Sequence, residues 1–205
     1  MERRNPLHFL QVEVSRLRDE NRDLKEELAV LRSSVRALSA LQDILQHLTP
    51  DADVLTLLDD VLVSALAVVD AEDGSLLLTD DDTGELVFAV VHGVARQRLT
   101  GFRLPKGVGI AGWVATSKQA QVVRDVHMDA HFSPEVDETI GFHTHSLACV
   151  PLIEGDRVLG VIEALNKSAG GEFTEEDQDL LRVVAQLAAI AIVRAEAYLE
   201  QATDK

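Results

Sequence analysis

The chain has 205 residues, 46% of them hydrophobic, enough to bury the core of one ordinary domain and leave an appendage over. A net charge of −16 works against general binding to nucleic acid or anionic membranes, both of which rely on a positive field. The single cysteine, Cys149, excludes an intramolecular disulfide and a four-cysteine zinc site. No apolar run reaches the roughly 20 residues of a membrane span, because Arg182, Gln186 and Arg194 interrupt the longest candidate.

The first residues lead into a charged helix instead of an apolar signal core, so the chain reads as soluble and cytoplasmic. From Leu10 a leucine falls on every seventh residue: Leu10, Leu17, Leu24, Leu31, Leu38 and Leu45. With these at d, the a positions are Val14, Asn21, Leu28, Val35 and Gln42. Mixed Val and Leu at a, leucine at d and one interior asparagine are the pattern of a parallel two-stranded coiled coil. The flanking charges agree, placing Glu13 opposite Arg18, Glu20 opposite Lys25 and Glu27 opposite Arg32 across a homodimer. Residues 1–48 therefore read as a dimerisation helix, 49–200 as a globular domain and 201–205 as a tail. Only Arg3 and Arg4 precede the zipper, followed by Pro6, so no basic helix exists to enter a major groove.

Thr49 and Pro50 supply a cap and a first-turn proline for an amphipathic helix carrying Val54, Leu58, Val61, Leu62 and Ala65. Strands at 75–79 and 85–91 flank the turn 80–84, and 102–104 reads as a short edge strand. The segment Gly107-Val108-Gly109-Ile110-Ala111-Gly112 opens a helix whose free amides attract an anion, although no dinucleotide-binding βαβ unit surrounds it. A short strand at 121–124 precedes an irregular stretch, 125–141. The most apolar strands, 147–152 and 158–165, follow, and Thr174 to Asp177 begins a long terminal helix in capping-box style. The element order gives an α+β domain with helices on one side of an antiparallel sheet.

Gly109-Ile110-Ala111-Gly112-Trp113-Val114-Ala115, Phe132 through Asp137, Thr139 through Thr144, Val150-Pro151-Leu152, Gly160 through Glu163 and Asn166-Lys167 together resemble the GAF domain family. The likeness is greatest to the GAF domains of cyclic-nucleotide phosphodiesterases and adenylyl cyclases. It implies a six-stranded antiparallel sheet with the terminal helices on one face, a ligand pocket on the other, and dimerisation through the helices. Carried over position by position, it implies ligand contacts from Ser75, Val91, His92, Ile110, Ala111, Asp137, Ile140, Thr144 and Glu163. Lys167 and Asp177 match the family's salt bridge between last strand and terminal helix, with Gln178 where the family signature ends in Glu. The chain departs from the family at Val91, where an aromatic stacks on the purine, at His92, where Asp is usual, and at Ile140, which replaces a threonine.

The resemblance implies a cyclic nucleotide as ligand. The alternatives are an interaction scaffold with an empty pocket, and a heme or iron sensor using His127, His131, His143 and His145. Metal binding by these residues requires a helix to bring the first two together and an extended strand for the second two. Cys149, flanked by apolar residues, reads as a buried inert thiol, and Trp113 as a helix anchor. With no catalytic constellation evident, the expectation is a non-enzymatic regulatory homodimer that signals to a separate protein partner.

Overall fold

The computed structural model describes residues 54–203 throughout, and residues 11, 13–22, 24 and 35 before them. The chain divides into two compact units, residues 1–36 and 37–205. In the first, residues 13–22 are helical, and Val14, Leu17, Leu24 and Val35 are exposed. Arg16 pairs along the helix with Glu13 at 2.6 Å and Glu20 at 3.6 Å. The seam positions Leu10, Leu28, Leu31, Leu38, Gln42 and Leu45 lie outside the described residues, as do Thr49 and Pro50.

Helix α1, Val54–Val69, buries Leu57, Leu58, Val61, Leu62, Ala65 and Leu66, a stripe repeating at helical spacing. It ends at Asp70, whose φ of 57° turns the chain into the sheet. Six strands follow: β1 (Ala71–Thr79), β2 (Leu86–His92), β3 (Arg103–Leu104), β4 (Gln121–Val123), β5 (Leu147–Glu154) and β6 (Arg157–Lys167). They form one sheet in the order β3-β2-β1-β6-β5-β4, and all the pairings are antiparallel. The turn joining β1 and β2 is tied by Asp80, whose Oδ1 accepts from the amides of Asp82 and Thr83.

The remaining helices are α2 (Arg96–Leu99), α3 (Gly109–Ser117), α4 (Glu135–Ile140) and the terminal α5 (Glu175–Thr203), which runs into the stretch read as a tail. The start of α5 is a reciprocal cap: Asp177 N–H donates to Thr174 Oγ1 and Thr174 N–H donates to Asp177 Oδ2. Among the described residues no helix is long and apolar enough to cross a membrane.

The sheet separates two apolar cores. On one face α1 and α5 cover Leu76, Val150, Ile162 and Ala164 with Leu58, Leu62, Leu181, Val184 and Ala188. On the other, Leu77, Val91, Leu147 and Val161 meet Ile110, Ala111 and Val114 of α3 and Ile140 of α4. Strand alternation assigns Leu76 to the first core and Leu77 to the second. Both central strands, β1 and β6, are thus apolar on both faces, which explains the near-continuous hydrophobic runs in the sequence.

Candidate functional site

A single rung of the sheet lies under the second core. Val91 on β2 pairs with Ser75 on β1, Ser75 with Glu163 on β6, and Glu163 with Cys149 on β5. Antiparallel partners point to the same face, so these four side chains share a floor. Ser75 Oγ donates to Glu163 Oε2 at 3.0 Å, and among the described residues no protein group bonds to Glu163 Oε1. Glu163 is only 8% exposed. Burial pushes its carboxyl up to about 7, aided by the nearby charge of Asp137 and opposed by the Ser75 hydrogen bond. The Cys149 thiol beside it is raised well above its ordinary value by burial and by Glu163, which makes it unreactive.

One wall is the first turn of α3. The cap residue Val108 offers no side-chain acceptor, and the first amide to close a backbone bond is Gly112 N–H, to Val108 O at 3.1 Å. The amides of Ile110 and Ala111 precede it at the positive end of the helix dipole. Two glycines make this entry possible. Gly109 has a φ of 71°, and a Cβ on Gly112 would lie 2.6 Å from the backbone carbon of Gly107.

The roof is the segment 125–145, a strap containing one 3₁₀ turn (Val126–Met128) and α4. Asp137 closes it on itself: Oδ2 accepts Thr144 N–H at 2.7 Å and Oδ1 accepts Thr144 Oγ1–H at 3.0 Å. Arg98 of α2 donates to Ile140 O at 2.6 Å, holding the end of α4. Asn166, at the end of β6, accepts His145 N–H on Oδ1 at 2.7 Å and donates from Nδ2 to His143 O at 2.9 Å. Lys167 Nζ stands 2.6 Å from Asp177 Oδ2, tying β6 to α5 away from the cavity.

Floor, wall and roof surround a partly open cavity of about 80 Å³. All nine residues expected at a ligand site line this space: Ser75, Val91, His92, Ile110, Ala111, Asp137, Ile140, Thr144 and Glu163. Val91 brings no ring to the cavity, but Phe88, Phe132 and Phe142 also line it. Phe88 reaches it through a register shift. Leu76 pairs with Val90 but Leu77 pairs with Phe88, so Ala89 is left over and Phe88 joins Val91 on one face. Strict alternation along β2 would turn Phe88 away, so no pattern in the sequence places it on this face. His92 Nε2 lies 3.3 Å from Asp59 Oδ1 without the alignment of a hydrogen bond.

His127, His131, His143 and His145 are not gathered together. His127 meets the edge of Phe132, with ring centres 5.8 Å apart, and His131 tilts against Trp113 at 4.8 Å while Asp129 holds its Nδ1 at 3.1 Å. His143 and His145 lie before β5 begins, not on a strand. Among the described residues no group of three His, Cys, Asp or Glu side chains is disposed to hold a metal. Trp113 does not line the cavity and anchors α3 against the strap through His131.

A family model described as "GAF domain" matches residues 53–192. A dual 3',5'-cyclic-AMP and -GMP phosphodiesterase 11A of Takifugu rubripes is 32% identical over 166 residues, covering 76% of this chain and 18% of that protein. A cGMP-specific 3',5'-cyclic phosphodiesterase of Drosophila virilis is 28% identical over 170 residues, covering 76% and 19%. The chain thus spans less than a fifth of the length of either relative. Among solved structures, the GAF domain of a phosphoenolpyruvate-protein phosphotransferase from Coxiella burnetii superposes with a TM-score of 0.68 at 24% identity, covering 80% of this chain and 96% of that one. A free methionine-R-sulfoxide reductase from Neisseria meningitidis gives 0.66 at 19%, covering 81% and 93%. At these identities the structures establish the shared fold.

Proposed function

The chain belongs to the GAF domain family, and on that footing we propose that it is a non-enzymatic sensing module whose cavity binds a cyclic nucleotide. The observation that carries the reading is the convergence of all nine expected contact residues, from four separate elements and the strap, on one roofed cavity. The residues suit such a ligand. The uncommitted amides of Ile110 and Ala111 provide a place for a phosphate. Phe88, Phe132 and Phe142 offer apolar ring surface for a base, a contact of about 1–3 kcal/mol in comparable sites. Glu163, Ser75 and Thr144 present polar atoms to its edges. The names of the phosphodiesterase relatives point to the same ligand class.

We assign the cavity no chemical step. The hydroxyl of Ser75 is committed to Glu163, and the only thiol is buried and protonated. Its output is mechanical. Ser75 and Glu163 face the cavity, while their neighbours Leu76 and Ile162 pack beneath α1 and α5, so a ligand that shifts the floor also shifts the helices. A parallel homodimer formed through the N-terminal heptads would pass that shift to a separate protein partner.

Calorimetric titration of the full chain with cyclic AMP, cyclic GMP and cyclic dinucleotides tests the ligand. The expected result is saturable binding of a cyclic nucleotide, weakened at least about tenfold by Thr144→Ala, which takes a hydroxyl from both strap and cavity. Indifference to every one of these compounds overturns the ligand and favours a scaffold.

A further inference from the structure

Acids outnumber bases among the ionisable residues that line the cavity. Its ionisable lining residues are Asp73 on β1, His92 on β2, Asp137 on the strap and Glu163 on β6. Cys149 of β5 adjoins Glu163, α3 contributes no titratable group, and neither lysine nor arginine lines the cavity among the described residues. Most of the acceptor atoms are already used. Both oxygens of Asp137 take bonds from Thr144, and Asp73 Oδ1 takes the amide of Val94 at 3.1 Å. Glu163 Oε2 is held by Ser75, and this buried carboxyl lines the cavity with no second protein partner among the described residues.

A carboxyl in a poorly solvated, acidic surrounding can lower its cost in two ways: it can stay neutral by keeping a proton, or its charged form can receive a donor from the ligand space. The first is the form that burial and Asp137 favour, holding the carboxyl up to about 7. The second removes the reason for the proton, since an N–H donor stabilises the charged form.

We propose that binding in this cavity is proton-linked: a ligand that brings an N–H donor to Glu163 binds the carboxylate and expels a proton as it enters. The O–H bond of Glu163 breaks, its proton passes to solvent, and an N–H···O⁻ hydrogen bond takes its place. The inference rests on the reading of the cavity as a ligand pocket and adds what sets its affinity. A ligand edge carrying amide, amidine or ammonium nitrogen is selected over one that carries acceptors alone, and affinity rises with pH.

The test uses cyclic GMP, whose base carries N–H donors, on the full chain. Binding heats compared in phosphate and in Tris buffer at pH 7 count the protons exchanged. The expected result is release of about half a proton per site, with Kd roughly thirtyfold weaker at pH 5.5 than at pH 8. Glu163→Gln retains the shape and a hydrogen-bonding edge, and loses both the proton release and the pH dependence. Cyclic GMP that binds wild type with no proton released overturns the proposal and leaves the ligand assignment standing. Failure of cyclic GMP to bind at either pH rules out that nucleotide as the ligand and leaves the other cyclic nucleotides to the titration above. The ¹³C shift of the Glu163 carboxyl, identified by its loss in Glu163→Gln, then decides the proton alone: a midpoint near 7 upholds it, and one near 4.5 overturns it.

Discussion

Burying a carboxyl among apolar strands raises the energy of its charged form, and the whole fold carries the consequence at Glu163. The group takes up its proton at about 7 in the folded chain against 4.5 in the unfolded one. Between those values the folded state holds one more proton than the unfolded state, so stability falls as pH rises from 4.5 through 7 and is level above. The full difference is roughly 3 kcal/mol. Chemical denaturation at a series of pH values should show this decline in wild type. Glu163→Gln should lack it and be the more stable protein at pH 8. Parallel curves for the two proteins would remove Glu163 as the cause. The residues of this floor were legible in the sequence only through family motifs, because nothing in the pattern around Ser75 or Glu163 announces a buried polar pair. Phe88 was not legible at all, since a one-residue register shift decides which face it occupies.

At the scale of elements, the strands and the terminal helices declared themselves by apolar content and by caps such as Thr174 with Asp177. The strap did not. Its residues are polar and lack a period, so its path is set by tertiary bonds: Arg98 to Ile140 O spans 42 residues, and Asn166 to His145 spans 21. Asp137 is the most concentrated of these ties because it accepts two bonds from Thr144. Asp137→Ala should free the strap without disturbing α1 or α5, which lie across the sheet. The expected cost is about 1–3 kcal/mol. Amide exchange at Thr144 should accelerate sharply while the amides of α5 stay as protected as in wild type. Equal loss of protection in both places would mean that Asp137 supports the fold generally and not the strap in particular.

For the whole molecule, the sheet is a plate with the proposed ligand cavity above, two long helices below, and strands β1 and β6 common to both. Such a plate transmits a signal only if something registers the movement of its helices, and the N-terminal heptads supply the candidate, a second copy of the chain. Leu17 and Leu24 are exposed on the described helical residues, where the a and d pattern asks for a partner helix. Asn21 falls at an a position among them. Two such asparagines satisfy each other only in a parallel, in-register pair, so the residue gives up stability in exchange for a single arrangement. Sedimentation equilibrium at micromolar concentration should find wild type as one dimeric species. Asn21→Leu should raise the melting temperature of the N-terminal helix while admitting higher oligomers or shifted registers, because leucine fits many arrangements and enforces none. Wild-type monomers under those conditions would refute the dimer, and the movement of α1 and α5 would then have to be read by a partner of a different kind.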